Sequence, residues 1–197
     1  MPPSGNEPFA KILGAGGTGT SGLPQKPGLA ERTRKGADWK IMRYIRRARP
    51  EDLNRIAEIE VFCYRLNFYP IFREDAFYFG EFQVANRIGA NREHLDELLV
   101  YDDGVVKGFL RVADGEIKKL FVEPVLQGSG IGAKLLKYAV EQENARFLWA
   151  LEKNEKAIAF YQRHGFRVTE ERKFEEGTTE YLVRMEWRIN SDTNQCK

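Results

Sequence analysis

Three short apolar runs, ELLVYDD (97–103), GVVKGFLRVAD (104–114) and GEIKKLFVEP (115–124), follow one another with only Asp103-Gly104 and Asp114-Gly115 at their junctions. Asp-Gly pairs favour the two-residue turns of positive φ that join antiparallel neighbours, whereas parallel neighbours need a crossover of about a dozen residues or more. The middle of the chain is therefore predicted to be an antiparallel meander, and a fold built wholly from βαβ units is excluded.

The meander runs into PVLQGSGIGAKLL (124–136), where Gly128, Gly130 and Ala133 fit the dinucleotide fingerprint G-x-G-x-x-(G/A), and Glu152 lies about 20 residues further on. The surroundings argue against a dinucleotide. The preceding strand carries Lys118 and Lys119 and ends at Pro124, Val125 to Gln127 intervene before Gly128, and only 65 residues follow Gly132. That is too little chain for a doubly wound sheet. What remains is the physics such loops share: small residues let main-chain N–H groups converge on an anion, and the start of the next helix adds its unsatisfied donors. The reading is a phosphate-bearing ligand, with a plain strand-to-helix turn as the alternative.

The rest of the domain follows from periodicity. KIMRYIRRA (40–48) reads as a first strand, and Pro50 opens a helix in which Leu53, Ile56, Ile59 and Cys63 recur at helical spacing. Residues 62–82 hold nine of the chain's 24 aromatics, with a second helix expected around 74–82 and a short one near 91–96. Beyond the glycine loop, Ile131, Leu135 and Ala139 mark a helix face, and FLWAL (147–151) is a buried strand. Asn154 is a fitting N-cap for EKAIAFYQRH, Gly165 fits the positive-φ position after that helix, and FRVTEER and TEYLVRMEWRI are two last strands turning at Glu176-Gly177.

Composition sets outer bounds. A chain of 197 residues, 42% hydrophobic, suits one domain with one sizeable core. Residues 1–37 hold eight of 18 glycines and five of eight prolines and read as a flexible tail. The Gly14 to Gly19 stretch within it also spells G-x-G-x-x-G but lacks the strand and helix that the motif needs. Lys and Arg number five against two acids in that tail and 26 against 27 over residues 38–197, so a broad basic face for nucleic acid has no support. Cys63 and Cys196 suggest neither a disulfide framework nor a thiolate site, and with only His94 and His164 available no metal centre is expected. Neither a secretory leader nor a membrane-length apolar run is seen, and a cytoplasmic protein is the expectation.

Two motifs then carry a specific resemblance. Gln127-Gly128-Ser129-Gly130-Ile131-Gly132 matches (Q/R)-x-x-G-x-(G/A), the acyl-coenzyme A pyrophosphate loop of the GNAT superfamily of N-acyltransferases, and NEKAIAFYQRHGF (154–166) is similar to that family's second signature, N-x-x-A-x-x-(F/L)-Y-x-x-x-G-F. The likeness covers residues 40–189 in element order and is to the small single-domain bacterial members. It implies an α/β fold with a mixed, mostly antiparallel central sheet flanked by helices and splayed at its middle strands, in a domain spanning 38–190 between tails 1–37 and 191–197.

The resemblance also implies chemistry: an acetyl-CoA-dependent N-acetyltransferase acting by direct attack in a ternary complex, on an amine of a small molecule or peptide, without metal. It assigns main-chain contacts with the pantetheine arm to Leu120, Phe121 and Val122, the pyrophosphate cradle to Gln127, Gly128, Ser129, Gly130, Ile131, Gly132 and Ala133, and the arm's other wall to Asn154, Ala157 and Phe160. Tyr161 occupies the position of the acid for the departing thiolate, and the Val122 N–H that of the donor polarising the thioester carbonyl. Glu116 stands at the spacing from Gln127 used for the base by the family's histone acetyltransferases, and strand parity places it on the face of Leu120 and Val122; a water relay is the alternative. The aromatic block, with the polar tips of Tyr64, Tyr69 and Tyr78, is either an apolar mouth for the acceptor or ordinary packing. A catalytically idle acyl-CoA-binding module and an NAD-type oxidoreductase are the competing functions, and monomer and homodimer both remain open.

Overall fold

The computed structural model describes residues 43–188; the expected tails at 1–37 and 191–197 and the first residues of the expected opening strand lie outside them. Seven strands form one sheet in the order β1-β2-β3-β4-β5-β7-β6: β1 Ile45–Arg47, β2 Leu98–Asp102, β3 Val106–Ala113, β4 Glu116–Val122, β5 Phe147–Leu151, β6 Phe166–Phe174 and β7 Tyr181–Trp187. Every pairing is antiparallel except β4 with β5, which run parallel and share the single register pair Glu116↔Phe147. Beyond that pair the two strands part. The fold is thus the mixed, mostly antiparallel α/β sheet expected, open at its middle.

Helices α1 (Leu53–Asn67), α2 (Tyr69–Phe72) and α3 (Val84–Arg92) cover one face, and α4 (Ile131–Glu141) and α5 (Glu155–Arg163) the other. Leu53, Ile56, Ile59 and Cys63 of α1 bury against Leu98, Val100, Phe109 and Phe121, while Ile131, Leu135, Leu136 and Ala139 of α4 bury against Leu99, Leu110 and Val122. Alternate residues of the meander thus feed two cores, one on each face, as a period of two requires. None of the helices among the described residues is long and apolar enough to cross a membrane.

Four local features differ from expectation. The helix expected at 74–82 is a π-helical stretch, Ala76–Glu81, with α2 before it and α3 after it, and only a 3-10 turn, Leu95–Glu97, stands near 91–96. The turn at Asp114-Gly115 is the expected two-residue type with both φ positive (52° and 75°), but Asp103-Gly104 lies in a three-residue loop, since Asp102 pairs with Val106. A bulge interrupts β4, because Arg111 pairs with Lys119 while Val112 pairs with Ile117, leaving Lys118 as the extra residue.

Asn154 caps α5 as expected, its Oδ1 accepting from the Ala157 N–H at 3.2 Å, and Gly165 closes the helix at φ 95°. A Cβ on Gly165 would stand 2.8 Å from the Trp187 ring. Left-handed backbone alone costs about 1–2 kcal/mol for a residue with a Cβ. Gly165→Ala is therefore expected to lower stability by at least about that amount, read as a lower midpoint in urea with unchanged slope.

Candidate active site

The parting of β4 and β5 opens a cavity of about 500 Å³. Its walls are β4 from Ile117 onward, the C-terminal half of β5, the glycine loop and one side of α5, with Asn67, Phe68 and Leu182 completing them. Of the residues expected to bind the cofactor, Leu120, Phe121, Val122, Gln127, Gly128, Gly130, Gly132, Ala133, Asn154, Ala157, Phe160 and Tyr161 line it. Ser129 and Ile131 do not: the Ser129 hydroxyl turns back to the Leu126 carbonyl at 2.6 Å, and the Ile131 side chain is buried in the core.

The β4 edge of the cavity is set by ladder geometry. The Glu123 N–H donates to the Lys107 carbonyl at 2.9 Å, and Gly108 pairs with Val122. Since antiparallel pairs alternate between hydrogen-bonded and non-bonded, the main-chain groups of Phe121 point to β3, and those of Leu120 and Val122 point into the gap. Phe121 consequently offers the cavity its side chain rather than its main chain. The Val122 carbonyl is already engaged, accepting from Cys63 Sγ at 3.2 Å and Gln127 Nε2 at 3.3 Å. Burial pushes the Cys63 thiol up to about 12, which leaves it a packing group and not a nucleophile.

The glycine loop has the form an anion cradle needs. Gly128 and Gly130 have φ 83° and 85°, and a Cβ on either would meet no atom within 4 Å. Glycine is thus required there by the sign of φ and not by crowding. Lys134 donates to the Gly130 carbonyl at 3.1 Å and begins the helical ladder of α4, so the N–H groups of Ile131, Gly132 and Ala133 precede it as the free donors of a helix start. Gly132 packs beside the Phe160 ring, where a Cβ would stand in ordinary contact, 3.4 Å from Cζ. Lys118, Lys156 and Arg163 add positive charge to the walls. This donor set suits a pyrophosphate-bearing ligand of the coenzyme A type.

Across the gap, Tyr161 is held between Phe160 (centroids 5.2 Å) and Phe166 (5.9 Å), and burial pushes its phenol well above the usual tyrosine value. It stays protonated over the whole working range. His164 also lines the cavity, but its Nδ1 lies 2.7 Å from the Phe160 carbonyl within its own helix.

Glu116 is not brought to these residues. The bulge at Lys118 resets the alternation, so that Ile117, Leu120 and Val122 share the α4 face and strand parity no longer carries Glu116 there. Glu116 pairs with Lys118 at the closed end of the gap and is not among the lining residues. Lys119, conversely, is no sign of an exposed strand: it is 3% exposed, with Nζ 2.6 Å from Glu60 and 3.0 Å from Asn91. Burial works to raise the wholly buried Glu60 carboxyl, yet Lys119 and Arg87 hold it below its usual range. Glu152, the acid that completed the dinucleotide pattern, is engaged in an ion pair with Arg172.

Comparison with known proteins gives the same picture. Residues 94–168 match the acetyltransferase (GNAT) domain. The peptidyl-lysine N-acetyltransferases YiaC and YjaB of Escherichia coli (strain K12) are 33% identical over 70 residues and 32% identical over 62. These segments are 35% and 32% of this chain and 48% and 42% of the two enzymes, so the chain spans about half the length of the curated relatives it matches. In three dimensions, apo YjaB from Escherichia coli superposes with a TM-score of 0.58 at 23% identity, over 73% of this chain and 95% of that one. The PaiA N-acetyltransferase of Thermoplasma acidophilum, solved in complex with coenzyme A, gives 0.53 at 20% identity over 73% and 98%. Such likenesses show the fold, which is not the doubly wound sheet of a dinucleotide enzyme. Residues 94–168 are thus similar to the acetyltransferase (GNAT) domain, and the splayed sheet around them has the fold of the solved N-acetyltransferases.

Proposed function

We propose that the protein is an acetyl-CoA-dependent N-acetyltransferase whose acceptor is a primary amine, that of a peptide lysine or of a small molecule, attacked directly in a ternary complex. The observation that carries this reading is the gap itself: a strand edge that turns the main-chain groups of Leu120 and the N–H of Val122 into it, ending in the cradle at 127–133 and faced by a protonated phenol at Tyr161. When bound, acetyl-CoA supplies the thioester. The Leu120 groups and the Val122 N–H would hold its arm as an added strand would, Gln127 to Ala133 would receive its pyrophosphate, and Tyr161 would give a proton to the departing sulfur. Glu116 has no part in this scheme. The names of the similar enzymes, peptidyl-lysine N-acetyltransferases, support the lysine arm of the acceptor class.

The test is release of free thiol from acetyl-CoA across a panel of lysine peptides, peptide N-termini, polyamines, aminoglycosides and amino acids. Amine-dependent release is expected. Tight binding of acetyl-CoA with no release on any amine would leave an idle binding module, and a thermal response to NAD(H) but none to acetyl-CoA would overturn the cofactor.

A further inference from the structure

Residues of both cores line the same cavity. Ile117, Val122 and Ala150 belong to the core under α4, whereas Phe68, Phe121 and Leu182 belong to the core under α1. Paired strands run about 4.8 Å apart and leave no passage, so the parting of β4 and β5 opens the sheet from one face to the other. The groups assigned to acetyl-CoA beyond β4, namely the glycine loop, Asn154, Phe160 and Tyr161, stand on the α4 and α5 side. A second substrate is left the α1 half.

The chemistry of that half is narrow. Phe68, Phe121, Trp149, Leu151 and Leu182 give it apolar walls, and Asn67, the last residue of α1, gives it an amide. Asn67 Nδ2 donates to the Cys63 carbonyl, one helical turn back, at 2.9 Å. A carbonyl can only accept, which settles the orientation of the amide and leaves Oδ1 an acceptor with no partner among the described residues. No carboxylate of the described residues lines the cavity: its charged and titratable side chains are Lys118 and Lys119 from β4, and Lys156, Tyr161, Arg163 and His164 from α5 and its end. The linings drawn from α1, β5, β7 and the glycine loop carry none. Lys118 turns to Glu116 and Lys119 to Glu60, and His164 packs on Phe160 (ring centroids 4.5 Å) on the α4 and α5 side. Trp149, the ring best suited to draw a cation, already has the Lys173 ammonium 4.3 Å from its centre.

Resting on the N-acetyltransferase reading, we propose that the α1 half of the gap seats the acceptor and selects a single amine on an apolar stem, taken in its uncharged form, with Asn67 as the residue that fixes its nitrogen. A neutral primary amine has two N–H donors and a lone pair: one N–H goes to Asn67 Oδ1, and the lone pair is left for the thioester carbon. An ammonium has no lone pair to offer and would enter apolar walls without a counter-charge, at the full cost of its desolvation. A second ammonium on the same molecule would meet the same walls. A lysine side chain, four methylenes ending in one amine, meets this description, and polyamines and aminoglycosides do not. The ammonium therefore gives its proton to bulk water, and the free base enters. Its lone pair forms the N–C bond as the C–S bond breaks, the sulfur keeps that electron pair and takes the Tyr161 proton, and the surplus N–H proton restores Tyr161.

The probes are n-butylamine and 1,4-diaminobutane, which share a four-carbon stem and differ by the second amine. With saturating acetyl-CoA, kcat/KM should be at least about tenfold higher for n-butylamine, although the diamine has two nitrogens to offer. For n-butylamine it should also rise about tenfold per pH unit between about pH 7 and 9, because an alkylamine titrates near the lysine value of about 10.4 and only its neutral fraction binds. N67L should raise the KM for n-butylamine by about three- to tenfold, the scale of one hydrogen bond, with kcat and the thermal shift given by acetyl-CoA unchanged. A diamine used as well as n-butylamine, a kcat/KM flat over that pH range, or an unchanged KM in N67L would overturn the seat, and the two wild-type measurements stand whether or not N67L folds. If the wild type releases no thiol, binding decides alone, read with CoA present from the NMR signal of the Asn67 side-chain amide. A shift of that signal by n-butylamine but not by 1,4-diaminobutane upholds the seat while the transferase reading fails, and any other pattern overturns it.

Discussion

Replacing Tyr161 by phenylalanine is expected to lower kcat by about two to four orders of magnitude, the usual worth of a positioned acid, and to leave the Kd for acetyl-CoA within about a factor of two. The ring contacts with Phe160 and Phe166 survive the change, so packing is not the cause of any loss. Burial raises this phenol, and a thiol in water has a pKa of about 8.5, so transfer to sulfur would run uphill if only the phenol felt the dry site. The same desolvation raises the thiol as well, and phenol donation strengthens as charge develops on sulfur. Because the phenol's value is raised, it remains the acid as pH rises, and no alkaline fall in rate should come from its ionisation below about pH 10. Single-turnover measurements separate this step from product release. An unchanged single-turnover rate would remove Tyr161 from the chemistry.

Gly130→Glu is expected to abolish the stabilisation given by acetyl-CoA. A ligand at 100 times its Kd stabilises by about 2.7 kcal/mol, so a weakening of roughly a hundredfold erases nearly all of the shift. The new carboxylate would stand at the mouth of the α4 donors, in space where no protein atom lies within 4 Å, and oppose the anion directly. Gly130→Ala is the control, since it shares the strain of φ 85° without the charge. Its own stability should fall by about 1–2 kcal/mol while its ligand shift largely persists. Equal retention of the shift in both variants would move the phosphate site away from this loop.

Much of the fold could be read from residues whose local physics has one solution. The Asp114-Gly115 turn, the Asn154 cap and the Gly165 terminus all appear where the sequence predicts them, because backbone sign and capping are decided within a few residues. Helix α3 leaves little trace in the sequence because Val84 and Ile88 are its main apolar residues at helical spacing and Gly89 interrupts them. The bulge leaves a single trace, the adjacent lysines of β4, and parity counted through it puts Glu116 on the wrong face. Lys119 reads as exposed because its partner Glu60 is 59 residues away.

The parted strands have one more consequence. A sheet interrupted in its interior carries an open edge where most sheets have none, and open edges recruit whatever extended chain is at hand. Two half-sheets meeting at one register pair lack the ladder that would make them a single cooperative unit. An extended cofactor arm laid along Leu120 and Val122 would then count as an eighth strand, and cellular acetyl-CoA as part of what keeps the chain folded and free of its own copies. Amide hydrogen exchange at Leu120 and Val122 should be the first to slow when acetyl-CoA is added.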